Sequence, residues 1–162
     1  HARSPLMLRT LRLPALLLAA VTACSSTDSP IRDAQVIETT TFAPALGVNL
    51  GASTKLASGM YIRDITVGTG ADVVAGQNVS MRYTGTFNNG TQFDANTSGT
   101  PFSFRLGAGQ VIAGWDQGIV GMKVGGVRQL IIPSALGYGR SDYGPIPGGS
   151  ILVFTVTVVS VP

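Results

Sequence analysis

Beyond residue 24 the sequence contains no histidine and no cysteine: the sole His is His1 and the sole Cys is Cys24. Ser-His-Asp and Cys-His nucleophilic machinery are therefore excluded. Zinc sites built on His or Cys, and any disulfide within the chain, are excluded with them. Chemistry has to come from carboxylates, hydroxyls, backbone groups and apolar walls. Gly68-Thr69-Gly70 and Gly107-Ala108-Gly109 do not supply a phosphate cradle. Neither fits the G-x-x-x-x-G-K-[ST] pattern, and neither sits between a parallel strand and a long helix, so both read as turns. The side chains left for such work are the eight acids and the aromatics scattered along the sequence.

Short strands separated by Gly-rich turns must position them. Met60 to Val67 alternates and stops at Gly68. Gln77 to Phe87 puts Val79, Met81 and Tyr83 on one face and Ser80, Arg82 and Thr84 on the other. Asn88-Asn89-Gly90 signals a hairpin, because Asn and Gly accept positive φ, and Thr91 to Asp94 resumes the chain. Phe102, Phe104 and Leu106 share one face of a further strand. Val127 to Ile132 is short, apolar and ended by Pro133. Ser150 to Val161 is the longest strand, with Leu152, Phe154, Val156 and Val158 on one face. One stretch reads as helix: in Val111 to Met122, Ile112, Trp115 and Ile119 recur on one side. Gly114, Gly118 and Gly121 each weaken it by roughly 1 kcal/mol against Ala, so packing has to hold it. Several antiparallel strands with one short helix give an α+β class.

Read in order, the sequence carries Tyr83-Thr84-Gly85, Gly90-x-x-Phe93-Asp94 and Pro101-Phe102-Ser103-Phe104-x-Leu106-Gly107. Val111-Ile112-x-Gly114-Trp115-x-x-Gly118, Met122-x-x-Gly125, Ile132-Pro133, Leu136-Gly137-Tyr138-Gly139, Ile146-Pro147 and Leu152-Val153-Phe154 follow. Each fragment is weak alone; the ordered set at these spacings resembles the FKBP-type peptidyl-prolyl cis-trans isomerases over about residues 59–160. The resemblance implies a strongly twisted five-stranded antiparallel sheet wrapped around the short helix, with a pocket between them. It implies substrate-binding walls from Tyr83, Phe93, Phe102, Val111, Ile112, Tyr138 and Phe154, a floor of Trp115, and a cover from Ile146. Asp94 would stand at the rim, while the Ile112 N–H and the Tyr138 hydroxyl would bind the backbone carbonyls of the ligand. Asp94, Tyr138 and Ile112 are thus the expected catalytic set. The resemblance also implies Pro-containing polypeptide substrates, macrolides as inhibitors, a monomer, and neither cofactor nor metal.

That chemistry suits a chain with no His or Cys to spend. An X-Pro bond has cis only ~0.5–1 kcal/mol above trans, yet interconversion is slow. The barrier is amide resonance, ~18–20 kcal/mol for a peptide bond. A twisted amide has less charge separation than a planar one, so an apolar pocket favours it relative to water. Two departures from the family pattern stand out. The stretch Ala95 to Pro101 lacks the arginine many relatives carry to pair with the Asp, and Pro147-Gly148 replaces a Pro-Pro before the last strand. Asp94 is therefore expected to be less fixed and the loop over the site looser.

The 162-residue chain has a formal charge of +3, but three of its basic residues, Arg3, Arg9 and Arg12, precede Cys24. The other eight balance the eight acids, so no nucleic-acid surface is expected. Residues 1–23 read as a lipoprotein signal peptide. A basic start leads to an uncharged run from Leu13 to Ala23, too short to span a bilayer, and then to Val21-Thr22-Ala23-Cys24, which resembles a bacterial lipobox. Cys24 is the expected lipidation site. The protein is then exported and anchored to a bacterial membrane, facing the periplasm or exterior. Residues 24–58 read as a tether, although Phe42 to Val48 is more apolar than a linker needs; residues 59–162 read as the isomerase domain. The expected function is prolyl isomerisation that assists folding of exported proteins. The alternative is a catalytically weak, membrane-tethered module that binds prolyl peptides.

Overall fold

The computed structural model describes residues 31–162. The leader and Cys24 lie outside the described residues. The strands are β1 (Thr54–Lys55), β2 (Tyr61–Thr66), β3 (Asn78–Phe87), β4 (Gln92–Asn96), β5 (Phe102–Arg105), β6 (Val127–Ile132) and β7 (Leu152–Ser160). One α-helix, α1 (Ala113–Gly118), lies between β5 and β6. All strand pairs are antiparallel, in the order β1-β2-β6-β7-β3-β4, with β5 also on β3.

The sheet has seven strands where five were expected, for two physical reasons. β5 pairs along Asn78–Met81 of β3 and β4 along Tyr83–Thr86, so the two are one edge strand interrupted at residues 97–101. The other addition is the two-residue β1 at the opposite edge. The hairpin between β3 and β4 turns where Asn-Asn-Gly predicts, with Gly90 at φ 89° and the Phe87 N–H bonded to the Thr91 carbonyl at 2.9 Å. The helix is shorter than the sequence pattern, ending near Gly118; the chain then turns through Gly121 at φ 80°.

The concave face of the sheet carries the main core. Val79 and Met81 of β3, Leu130 and Ile132 of β6, and Leu152, Phe154, Val156 and Val158 of β7 close on Trp115, Ile119 and Met122. Gly114 and Gly118 allow α1 to lie directly on β6: a Cβ at Gly114 would come within 2.5 Å of Ile132, and one at Gly118 within 2.8 Å of Leu130. Buried Arg128 of β6 fastens the helix end. It donates to the Gly118 and Val120 carbonyls at 2.8 and 3.1 Å and forms a bidentate pair with Asp64 at 2.7 and 3.0 Å.

Residues 31–58 do not behave as the tether expected from composition. Their turns at Ile37–Thr39, Pro44–Leu46 and Leu50–Ala52 are short 3-10 pieces that lay apolar side chains on the convex face of the sheet. There Ile37, Phe42, Leu46, Val48 and Leu50 meet Tyr61, Ile131, Ile151 and Val153 in a second core. The reason is that β2, β6 and β7 carry apolar residues on both faces, and the convex set needs a cover. Polar bonds fasten it: Gln129 Nε2 donates to the Leu46 carbonyl at 2.8 Å, Arg63 Nη2 to the Gly47 carbonyl at 2.7 Å, and the Ala43 N–H to the Asn88 carbonyl at 2.8 Å.

Candidate active site

Between the concave face and α1 lies a cavity of about 160 Å³, lined by Tyr83, Asp94, Phe102, Gln110, Val111, Ile112, Trp115, Tyr138 and Phe154. That is the size of an engineered core cavity, ~150 Å³, that accepts benzene. Each element contributes by strand or helix period. Tyr83 and Phe154 stand on adjacent inner strands, two residues apart in register and so on the same face, since Tyr83 pairs with Val156 and Gly85 with Phe154. Trp115, 3% exposed, rises from the first turn of α1. Phe102 begins β5 and forms the open side, 38% exposed.

The aromatics brace one another edge to face. Trp115 sits 5.0 Å from Tyr83 at 85° and 5.3 Å from Phe154 at 86°; Phe102 lies 6.1 Å from Trp115 at 75°. Such T-shaped pairs add about 0.5–1.5 kcal/mol beyond their buried area and hold the walls in place. Gly85 permits this packing, because a Cβ there would strike the rings of Phe154 and Phe93 at 2.6 and 2.9 Å.

Asp94 stands at the rim and is held, not loose. Tyr83 Oη donates to its Oδ2 at 2.8 Å. The arginine absent from residues 95–101 has a counterpart on β3 that is engaged elsewhere. Arg82 donates to Asn96 Oδ1 at 3.3 Å and to the Gly99 carbonyl at 2.7 Å, shaping the strand break. Burial and the Asp94 carboxylate push the Tyr83 phenol up to about 12. Burial also pushes Tyr138 upward, with smaller contributions from Tyr143 and Asp94. Neither the Ile112 N–H nor the Tyr138 hydroxyl has an acceptor among the described residues. Two donors therefore line an aromatic cavity with their bonding capacity free, and the buried Trp115 Nε1 likewise has no partner among the described residues.

Of the expected residues, Asp94, Tyr138, Ile112, Tyr83, Phe102, Val111, Trp115 and Phe154 come together here. Phe93 and Ile146 do not line the cavity. Phe93 lies behind it, its ring 5.5 Å from Phe154 and 4.9 Å from Phe87. Ile146 turns into the main core, 6% exposed, because its loop is closed by reciprocal N–H to carbonyl bonds with Tyr143, both 2.9 Å. Three contributors escape sequence reasoning. Gln110 lines the cavity, and its side-chain oxygen accepts from the Arg105 N–H at 2.8 Å. Asp116 accepts from the Gly107 and Gly109 N–H groups at 2.7 and 3.0 Å, fixing the turn that delivers Val111 and Ile112. Tyr143 stacks on Tyr138 at 4.8 Å and 20°. Among the described residues no group of three His, Cys, Asp or Glu could hold a metal ion.

The chain is 54% identical over 108 residues to FK506-binding protein 4 of Rhizopus delemar, covering 66% of this chain and 28% of that one. It is 50% identical over 105 residues to a peptidyl-prolyl cis-trans isomerase of Saccharomyces cerevisiae, covering 65% and 26%. The chain thus spans about a quarter of the length of these curated relatives. The crystal structure of AtFKBP13 superposes with a TM-score of 0.64 at 36% identity, covering 68% of this chain and 98% of that one. A peptidyl-prolyl cis-trans isomerase from Pseudomonas syringae gives 0.61 at 34%, covering 68% and 80%. With the family model matched from residue 70 to 159, over the helix, most of the strands and every cavity-lining residue, the chain belongs to the FKBP-type peptidyl-prolyl cis-trans isomerases.

Proposed function

We propose that this chain catalyses cis-trans isomerisation of X-Pro bonds in polypeptides by non-covalent means. The carrying observation is an aromatic cavity sized for one small ring with two uncommitted donors at its wall, Ile112 N–H and Tyr138 Oη. The proline ring enters against Trp115, Tyr83, Phe102 and Phe154. The donors take the flanking carbonyls and so fix which bond lies in the apolar space. There the amide loses the water that favours its planar, charge-separated form, and the twisted form gains relative to it. No proton moves and no bond breaks. Asp94, held by Tyr83, stands at the rim, where it orients the approaching peptide.

The test is isomerisation of a Leu-Pro peptide followed without a coupling protease, with an FKBP-directed macrolide as inhibitor. Turnover that the macrolide abolishes supports the reading; macrolide binding without turnover supports the binding-module alternative. What favours that alternative is that, among the described residues, no arginine pairs with Asp94.

We further propose export with a lipid anchor at Cys24 and a role in folding exported proteins. The support is in the sequence: Arg9 and Arg12, the apolar run to Ala23, and Val21-Thr22-Ala23-Cys24. Among the described residues no helix is long and apolar enough to cross a membrane. Two or three acyl chains hold far better than one. Cys24→Ser should abolish lipid labelling and leave precursor uncleaved; normal processing of that variant would defeat the lipid anchor.

A further inference from the structure

The loop of residues 139–149 carries Tyr143 against Tyr138 and is gripped from outside the family-matched span. The Arg32 N–H donates to the Arg140 carbonyl and the Gln35 N–H to the Gly149 carbonyl, both at 2.9 Å. Arg140 answers with Nε to the Arg32 carbonyl at 2.9 Å and Nη2 to Asp33 Oδ1 at 3.1 Å. Gln35 Oε1 accepts from the Ile151 N–H at 3.0 Å. Arg32 forms a bidentate pair with Asp142 at 2.9 and 3.3 Å, and Asp142 Oδ1 also accepts from the Gly148 N–H at 2.8 Å. The fit is close. A Cβ at Gly149, φ +76°, would come within 2.4 Å of the Asp33 carbonyl oxygen, and one at Gly148 within 2.0 Å of the Arg140 carbonyl oxygen.

We propose that residues 32–35 are a clasp on this loop, and that Arg32 is a positioning residue which fixes the Tyr138 hydroxyl through Asp142 and Tyr143. The path is continuous. Arg32 holds Asp142; Asp142 holds the Gly148 N–H and precedes Tyr143; Tyr143 stacks face to face on Tyr138. The loop closes on itself through Tyr143 and Ile146 and through the Gly149 N–H to the Gly139 carbonyl at 2.9 Å. It therefore shifts as a unit, carrying the ring that backs Tyr138. The family model begins at residue 70, so the clasp lies outside the part of the chain that model describes, while its target lies inside. The Arg32 guanidinium, and then the Gly148 N–H, hold the Asp142 carboxyl below its usual range, the direction a formed contact requires. Half-exposed ion pairs contribute little to global stability, so the effect of Arg32 is local to the loop.

The activity arm rests on the isomerase reading; the exchange arm does not. Amide hydrogen exchange and isomerisation of a Leu-Pro peptide are measured on the full chain for wild type, Arg32→Ala, Arg32→Lys and Lys55→Ala. Lys55 is the control: it pairs with Glu38 of the same N-terminal segment, away from the loop. Arg32→Ala should speed exchange at Tyr143, Ile146, Gly148 and Gly149 about tenfold, leaving the β6 and β7 amides unchanged. It should raise KM about three- to tenfold with kcat nearly constant, the pattern of lost ground-state positioning. Arg32→Lys should fall between, and Lys55→Ala should leave loop exchange and KM at wild-type values. Unchanged loop exchange in Arg32→Ala, or an equal loop response in Lys55→Ala, overturns the clasp. If the wild type proves inactive, the isomerase reading fails and loop exchange alone decides the clasp.

Discussion

Tyr83 serves both as wall and as hydrogen-bond donor to Asp94, and both duties require a protonated phenol. Its pKa is pushed up to about 12 and that of Tyr138 is also raised; a raised phenol pKa keeps the proton on at higher pH. The domain has no His or Cys, the groups whose ordinary values, ~6.5 and ~8.5, fall near neutrality. Isomerisation should therefore be flat from about pH 6 to 9 and keep its rate toward pH 10. A protease-free pH profile of kcat/KM checks this; a limb near pH 7 or 8 in folded protein would defeat the proton-free mechanism. Trp115 carries a different prediction. Truncating it removes a buried ring that touches Tyr83, Phe102, Phe104 and Phe154. Trp115→Ala should cost about 3–5 kcal/mol in denaturant unfolding and abolish macrolide binding even where the protein is still folded. Most of the cavity was legible in the sequence through the ordered motifs that resemble the FKBP-type family; aromatics at strand spacing announce a face, not a cavity. Gln110, Asp116 and Tyr143 were not, since a side chain that accepts from a loop amide or stacks within a loop leaves no periodic trace.

At the scale of elements, cavity depth is set by how closely α1 lies on β6. The sequence shows three glycines in a weak helix, and propensity alone marks them as defects worth roughly 1 kcal/mol each. The structure gives two of them a purpose. At Gly114 the Cβ of an alanine would stand 2.5 Å from Ile132 Cγ2 and 2.7 Å from its Cδ1. Two effects then oppose one another in Gly114→Ala: a helix-propensity gain near ~1 kcal/mol, and an overpacking cost of about 1–3 kcal/mol. Overpacking should win, because Ile132 is fully buried and cannot swing into solvent. The variant should melt below wild type and bind a prolyl ligand more weakly, as lifting α1 displaces Trp115. A stabilised Gly114→Ala protein would show that Ile132 has room to move. The strand count escaped the sequence for a related reason. The interruption between β4 and β5 lies in a polar stretch, and nothing in its residue types says that both halves lie on one edge of β3.

Across the whole molecule the sheet is covered twice, by α1 on one face and by residues 31–58 on the other. That second cover was the least legible feature. Its 3-10 turns follow neither strand nor helix period, and its Ser, Thr, Ala and Gly content imitates a linker. The signals that remained were the apolar stretch Phe42 to Val48 and the apolar residues on both faces of β6 and β7, Ile131 and Val153 facing away from the main core. One polar knot pins this cover beside buried Ile37: Glu38 Oε1 accepts from Lys55 Nζ and from Tyr61 Oη, the latter at 2.8 Å. Bonds first from Lys55 and then from Tyr61 hold the Glu38 carboxyl well below its usual range, at about 2. A folded-state value below the unfolded one means that protons favour the unfolded chain. The stabilisation is then fully present above the ordinary Glu pKa, ~4.3, and is lost as pH falls toward about 2. Asp142 is shifted in the same direction by Arg32, but it is common to wild type and Glu38→Gln and cancels in their difference. Wild type should thus melt above Glu38→Gln at pH 6, and the gap should close between about pH 4.5 and 2. The knot is open to solvent, so molar salt should narrow the gap at pH 6 as well. A gap that stays constant from pH 6 to 2 would mean that Glu38 acts through shape rather than charge, and that the cover is held by Ile37 and its apolar neighbours alone.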